Sequence, residues 1–561
     1  LRELCTRWLD TNIVVFAWNA PFEFSWLSTY TGVAEIAAKV RWVDAMMLLM
    51  HLTRMPEYDV SRGSRRPYDL KSAVAEYMPK YAGYADGVDL QSSDMLGLGA
   101  YNATDAWCTL QLGKHFYAQL KQAGARHLRA ALIEAAAIPH VGQANAEGLL
   151  ISQKAASLLA PKLEATEART LALLAEHGAT AQILRSPRQL GVLMFDTWGL
   201  TPISHGKTGP STDKHTLHEL SLVDPRAKAI KEYRDAVGHR VKFVDKLQAS
   251  VAYNGDGRSY PGARMYGTYS GRMTYNSSQG AGKTLAQTGF ALHQMKRDKL
   301  FRDQIEAPDG YAYVEFDAAS QEFRWMAEAS RDPTMMMLCR KGEDPHAHMG
   351  AEIVGVDYRE VQEGAAAGDK KLYEIRRLGK VGNLSCQYRT SPPKLLSVAR
   401  TDYDMDIGLG MATRIHSTYR QTYTQVPVFW REAGALVKRD QTVETFAGRR
   451  VFIPDEDMLK TWAVQSTAIN FKIQGTGADQ KYLALMTLTP LMAACGARFS
   501  FDMHDGLYFL VPKASVDTFI RDGLATLSSL PYTRAWGYTP TVPLPWDAKI
   551  GPTWGSMTEV K

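Results

Sequence analysis

The segment RFSFDMHDGLYFLV, residues 498–511, constrains this chain more than any other. Two strand-favouring runs flank His504-Asp505-Gly506, and Asp-Gly between alternating apolar residues is a strong short hairpin signal. The chain is therefore committed to an antiparallel sheet with a carboxylate at a turn. A second strand-like run, YAYVEFD at 311–317, also ends in a carboxylate, Asp317, and SQEFRWMAEAS then follows at helical spacing. Each Asp has a bland explanation on its own. One at a strand-to-helix junction is commonly a helix cap; one in a hairpin tip is commonly a turn residue. If the two runs pair, the carboxylates converge, and rigid strand ends suit them to hold Mg²⁺ through oxygen. Two cations about 3.5–4 Å apart would stabilise the attacking and leaving oxygens of a phosphoryl transfer.

A third feature is DKKLYEIRRLGKVGNLSCQYRTSPP, residues 369–393, which reads as a helix ending before Pro392-Pro393. Arg376, Lys380, Leu384 and Tyr388 recur every four residues, so they share one arc of roughly 120°. Two cations, an apolar side chain and an aromatic follow in the order in which a nucleotide presents triphosphate, sugar and base. Arg suits bidentate phosphate contacts, and Lys acts as a point charge or proton donor. The bland alternative is a solvated cationic stripe. Gly379 and Gly382 each weaken this helix by roughly 1 kcal/mol relative to Ala, and the expectation is that they ease bending in a mobile lid.

Around these features, residues 1–120 read as alternating helix and strand, with LRELCTRWLD helical and IVVFAW a strand. Residues 125–250 are largely helical, with HGKTGPSTDK (205–214) as a polar loop. Residues 251–335 bring strand signals, MYGTYS then YAYVEF, and 336–455 are again mainly helical. A helix over 467–488 precedes the hairpin. Charge is permissive only: 65 Lys and Arg against 59 Asp and Glu leave +6, compatible with a nucleic-acid partner without demanding one. No apolar run reaches the roughly 18 residues of a membrane span, so no membrane partner is expected. Cys5, Cys108, Cys339, Cys386 and Cys495 form no metal-binding spacing and suit a reducing compartment. The chain begins at Leu1 with no signal peptide, and the natural N-terminus is expected to lie upstream.

In this order the motifs resemble the family A DNA polymerases, the group of bacterial DNA polymerase I and related phage replicases. DAASQEFR matches the first palm motif with Asp317, Glu322 and Arg324. The fingers motif R-x3-K-x3-aromatic-x3-Y is matched by Arg376, Lys380 and Tyr388, with Leu384 in the aromatic slot. His504-Asp505-Gly506 stands for His-Asp-Glu. TAINFKIQGTGAD resembles the helix along the primer–template minor groove (Asn470, Gln474), TYSGRMT places Arg272 near the primer terminus, and EDPHAHMGAEIVG offers His346 to the triphosphate. SPRQLGVLMFDTWGLTP with PSTDKHTLHEL resembles the thumb.

The resemblance implies an α+β multidomain, right-hand polymerase with a palm built on an antiparallel sheet and helical thumb and fingers. An incomplete RNase H-like α/β exonuclease domain precedes them. The expected divisions are 1–125 exonuclease-like, 126–250 thumb, 251–335 palm, 336–455 fingers and 456–561 palm again. It implies two Mg²⁺ ions, or Mn²⁺ in their place, on Asp317, Asp505 and Ala318. Lys380 is a candidate general acid, and Arg376, Lys380, Leu384, Tyr388, His346 and Glu322 surround the dNTP, with Glu322 disfavouring a 2′-hydroxyl. Arg272, Asn470, Gln474 and His504 attend the primer–template. Expected partners are primer–template DNA and dNTPs, with any processivity factor or replisome partner unspecified. The implied role is DNA replication or repair in the cytoplasm of a bacterium or phage-infected cell.

Three departures stand out. Gly506 replaces the usual Glu, Leu384 replaces Phe or Tyr, and Ser466 replaces an Arg. At the N-terminus, WNAPFEF and YNATD resemble exonuclease motifs, giving Glu23, Tyr101 and Asp105, and WVDAMMLLM carries Asp44. The first exonuclease motif, Asp-x-Glu, is absent, so no proofreading by residues 1–561 alone is expected. The alternatives are a non-catalytic DNA-binding relative, a single-subunit RNA polymerase, or an exonuclease only. Survival of Asp317, Asp505, Arg376 and Lys380 opposes the first, Glu322 and the exonuclease-like N-terminus the second, and the missing motif the third.

Overall fold

The computed structural model describes residues 1–54, 68–89, 93–206, 209–265, 267–275, 290–453 and 461–560. Helix α1 (Arg2–Asp10) leads into strand β1 (Val14–Ala17), helix α2 (Ala20–Ser28), strand β2 (Arg41–Asp44) and helix α3 (Ala45–Thr53). β1 and β2 pair in parallel, Val14 opposite Arg41. Parallel strands need a crossover, and α2 lies within it. A 29-residue helix, α4 (Met95–Ala123), packs against α3 and β1.

Helices α5 (Gln153–Ala175) and α6 (Pro225–Arg240) pack on each other and bury a separate apolar cluster around Leu174, Leu190, Leu217 and Ile230. The MYGTYS strand does not form over its described part. Tyr266 lies outside the described residues, and Gly271 at φ 79° reverses the chain between the short antiparallel pair Ala263–Arg264 and Thr274–Tyr275. The result is a turn over 268–271 that Arg272 follows directly.

The central element is strand β3 (Tyr311–Ala318), followed by α7 (Gln321–Ser330), α8 (Pro345–Val354), α9 (Lys370–Cys386) and α10 (Pro392–Tyr403). After these come α11 (Thr461–Asn470) and α12 (Thr476–Cys495), joined by a π-helical turn over Phe471–Gly475. The helix expected at 467–488 is thus longer, 461–495, and interrupted. β4 (Arg498–Met503), β5 (Gly506–Pro512), β6 (Trp546–Gly551) and β7 (Thr558–Glu559) complete the sheet. Its order is β4-β5-β3-β6-β7 with every pair antiparallel.

Side-chain alternation divides this sheet cleanly. Phe316 meets Phe509 and Phe519, so the even-numbered face of β3 packs on helix Val516–Ser528. Tyr313 on the other face meets Phe501, and Phe501 meets Trp554. Glu315 and Asp317 share that second face by period two. Among the described residues no helix is long and apolar enough to cross a membrane. All five cysteines are free and buried.

Candidate active site

The β3–β5 register sets Gly506 opposite Asp317, so the hairpin tip rises beside the end of β3. The Ala318 amide also donates to the Asp505 carbonyl at 3.4 Å. The two carboxylates, 188 positions apart in the chain, are thereby brought to one edge. Neither bland explanation accounts for Asp317. The helix after it is preceded by Ser320 at φ 50°, with no side-chain cap. Asp505 does lie in the turn, but shifted by one residue from the Asp-Gly expectation. His504, at φ 53°, and Asp505 form the two-residue connection, while Gly506 already pairs with Met503. Lys481 holds the tip down, donating to Asp502 Oδ2 at 2.5 Å and to the His504 carbonyl at 2.7 Å.

Burial, then the charges of Glu315 and Asp505, push the Asp317 carboxyl up to about 7. Across the sheet Asp547 stands directly opposite Asp317, and like charges in that position repel. Burial and then Glu322 also raise Asp505, while Arg272 opposes them. Among the described residues no three His, Cys, Asp or Glu side chains form a ready-made metal cage. Magnesium is usually held by one or two carboxylates together with substrate phosphates. Two oxygen-donor side chains brought together at one strand end, with Glu315 and Asp547 beside Asp317, fit that mode of binding.

Glu322 is fixed by three donors. Arg272 Nη2 reaches its Oε1 at 2.8 Å, Gln474 Nε2 reaches the same oxygen at 3.2 Å, and Gln387 Nε2 reaches Oε2 at 3.0 Å. Arg272 also stands 3.6 Å from Asp505. The π-helical turn carries Gln474, a local widening that re-aims side chains. Asn470 accepts from the Tyr269 hydroxyl at 2.7 Å. Arg324 does not face this site: it donates to the carbonyls of Ala319 and Pro543 at 2.9 and 2.8 Å and acts as a brace.

On α9, Arg376 Nε donates to Asp344 at 2.6 Å, and Asp344 also caps α8 through the His346 and Ala347 amides. His346 lies within hydrogen-bond range of Asn383, and burial pushes it down to about 4, so it is neutral at pH 7. Burial and the nearby Arg297 and Arg376 lower the Lys380 pKa, and Asp317 acts in the opposite sense. His504 is likewise lowered to about 4 by burial and by Arg297 and Arg272. Arg376, Lys380 and Leu384 lie on α9 as expected, but the helix ends at Cys386 and Tyr388 stands in the following turn. Arg389 at φ 63° breaks the helix there, and Pro392 opens α10.

The expected bending role of Gly379 and Gly382 gives way to packing. A Cβ at Gly379 would collide with the His346 carbonyl and the Gly350 amide of α8, and one at Gly382 would press on Ile415. Sequence reading missed Glu315, Arg297, Gln387 and Lys481. Only Glu315 had a usable signal, being two residues before Asp317 and so on the same face.

In the N-terminal part, burial, then the charges of Asp44 and Asp105, raise the Glu23 pKa. Asp44 accepts from the Asn19 and Ala20 amides at 3.1 and 2.8 Å and caps α3. Asp105 is engaged by Lys71 and by the Tyr84 hydroxyl, and the Lys71 ammonium lies 4.5 Å from the Tyr101 ring centre.

The five-stranded antiparallel sheet, with Asp317 and the Asp505 turn at one end of its central strands and helices packed on it, belongs to a right-hand polymerase fold. The POL domain of Pol1 from M. smegmatis, solved in complex with DNA primer-template and dNTP, superposes with a TM-score of 0.72 at 20% identity. It covers 92% of this chain and 82% of that one. The model of DNA polymerase family A matches residues 152–556, and the chain belongs to that family. It is 26% identical over 470 residues to DNA polymerase I of Pseudomonas aeruginosa, spanning 81% of this chain and 47% of that protein. It is 25% identical over 384 residues to the DNA polymerase of Bacillus phage SP01, spanning 67% and 40%. The chain thus spans less than half the length of these two relatives.

Proposed function

We propose that the chain carries out template-directed DNA synthesis, adding dNTPs to a primer 3′-hydroxyl. The observation that carries this reading is the β3–β5 register, which brings Asp317 beside the Asp505 turn, with Lys380 of α9 near enough for its charge to interact with Asp317. Asp317 and Asp505, with the Ala318 carbonyl, would hold two Mg²⁺ ions, or Mn²⁺ in their place. When bound, these supply Lewis-acid activation of the 3′-hydroxyl and hold the triphosphate.

The chain's own residues do the rest. Arg376 exchanges Asp344 for phosphate oxygens, and its guanidinium fits them in bidentate fashion. Lys380, with its pKa lowered, gives a proton to the pyrophosphate leaving group more readily than a free Lys. Neutral His346 donates to the triphosphate. Glu322, held by Arg272, Gln387 and Gln474, lies under the sugar and excludes a 2′-hydroxyl. Tyr388 packs by the new base pair, and Asn470, Gln474, His504 and Arg272 track the primer–template by shape rather than sequence. Leu384 offers less stacking surface than an aromatic.

On this reading residues 126–250 are thumb, 251–335 and 456–561 palm and 336–455 fingers. The buried thiols suit the cytoplasm of a bacterium or phage-infected cell. Residues 1–125 are an RNase H-like, partial 3′–5′ exonuclease. The parallel β1–β2 pair and the convergence of Glu23, Asp44 and Asp105 support that assignment. With the Asp-x-Glu motif absent from residues 1–561 and Lys71 engaging Asp105, metal-dependent release of 3′ nucleotides from single-stranded DNA by these residues alone is expected to be undetectable. Release abolished by Asp105→Ala would overturn that expectation. The polymerase reading is tested by extending a primer with Mg²⁺ and matched dNTP or rNTP pools. Extension with dNTPs alone supports it; efficient use of rNTPs would remove the role given to Glu322.

A further inference from the structure

The sheet face that carries Asp317 is arranged in rows. One row crosses the strands as Gly506, Asp317 and Asp547; the next runs Tyr508, Glu315 and Lys549. Glu315 is only 7% exposed. Its Oε1 accepts from the Tyr508 hydroxyl, and its Oε2 lies 3.5 Å from the Lys549 ammonium. Those contacts do not use up its position. A Cβ built on Gly506 would stand 3.0 Å from Glu315 Oε1 and 3.3 Å from Asp317 Oδ1. The Glu315 carboxylate therefore reaches from the second row into the space above Gly506, beside Asp317.

Gly506 is not required by the backbone, because it is absent from the positive-φ glycines. Glycine is needed where φ is positive or where a neighbour comes too close. At 506 the neighbour is the carboxylate itself. The hairpin motif would place an acidic side chain at 506, and here the Glu315 carboxylate stands against the point where that side chain would start.

We infer that Glu315 is a further residue of the metal site, supplying from β3 the negative charge that position 506 lacks. This rests on the polymerase reading of Asp317. Glu315 adds charge next to a cation on Asp317, while the Tyr508 hydroxyl and Lys549 keep its carboxylate from turning away. A purely structural Glu315 would only link Tyr508 to Lys549 across three strands.

Mn²⁺ binding to the full chain, followed by the loss of the free-ion resonance signal, separates these roles without any turnover. Glu315→Gln keeps the shape and the Tyr508 hydrogen bond but removes the charge. It is expected to weaken Mn²⁺ binding by roughly tenfold or more, the usual scale for groups around a metal. The double variant Glu315→Ala/Gly506→Glu moves the carboxylate back across the strand pair and opens the space it needs. It is expected to bind Mn²⁺ within about threefold of wild type, well inside that scale. Thermal unfolding of each variant confirms a folded chain. Wild-type binding by Glu315→Gln, with binding lost in Asp317→Ala, overturns the inference and leaves the polymerase reading standing. A folded double variant that binds no better than Glu315→Gln also overturns it. Wild-type binding by Asp317→Ala overturns both.

Discussion

Asp317 is partly buried at the end of β3, close to the charges of Glu315 and Asp505. Its carboxyl titrates near 7 in the native chain against 3.8 for an unperturbed Asp. Between those values the native state binds more protons than the unfolded state, so stability falls as pH rises through that window. Asp317→Asn is therefore expected to raise stability at pH 8, without divalent ions, by roughly 1–3 kcal/mol. The gain should shrink toward zero at pH 4, where the wild-type carboxyl is protonated. Calorimetric melts at both pH values check this, and equal gains at both would contradict it. Mg²⁺ or Mn²⁺ should correspondingly raise the wild-type Tm more at pH 8 than at pH 5. At Glu322, loss of the carboxylate in Glu322→Ala should raise the ratio of rNTP to dNTP incorporation by at least about tenfold, a 1.4 kcal/mol change in discrimination. An unchanged ratio would move sugar selection elsewhere.

Elements were legible where the pattern is local. The hairpin, β3 and the cationic side chains of α9 follow from alternation and four-residue spacing. What joins them was not local. The pairing of β3 with β5 links residues almost two hundred apart, and Phe316 against Phe509 and Phe519 fixes which face is inside. Nothing in the α9 segment announces that Gly379 meets α8 or that Gly382 meets Ile415, so a packing contact read as a flexible joint. That contact predicts that Gly379→Ala destabilises by about 1–3 kcal/mol through overpacking, where a bending role would leave stability unchanged or improved. Urea unfolding distinguishes the two. On α12 beneath the hairpin, Lys481→Met strips the buried Asp502 of its cation and frees the His504 carbonyl. The expected loss is about 3–5 kcal/mol, because a buried charge is left unpaired, and denaturant midpoints measure it.

For the whole molecule, the order of motifs along the chain was more informative than any one of them. Asp317 resembles a cap and Asp505 a turn until α9 lies between them in sequence and beside them in space. The N-terminal part was legible as helix and strand, but the engagement of Asp105 by Lys71 and Tyr84 depends on a loop and two helices that no spacing connects. Asp317 and Asp505 are proposed to act together as one catalytic pair. Single-turnover incorporation of one matched dNTP onto a primer–template, with DNA affinity measured in parallel, tests this most directly. Asp317→Ala is expected to bind the primer–template as wild type does but to incorporate at least about a thousandfold more slowly, some 4 kcal/mol of transition-state stabilisation. Incorporation by Asp317→Ala at the wild-type rate would contradict it.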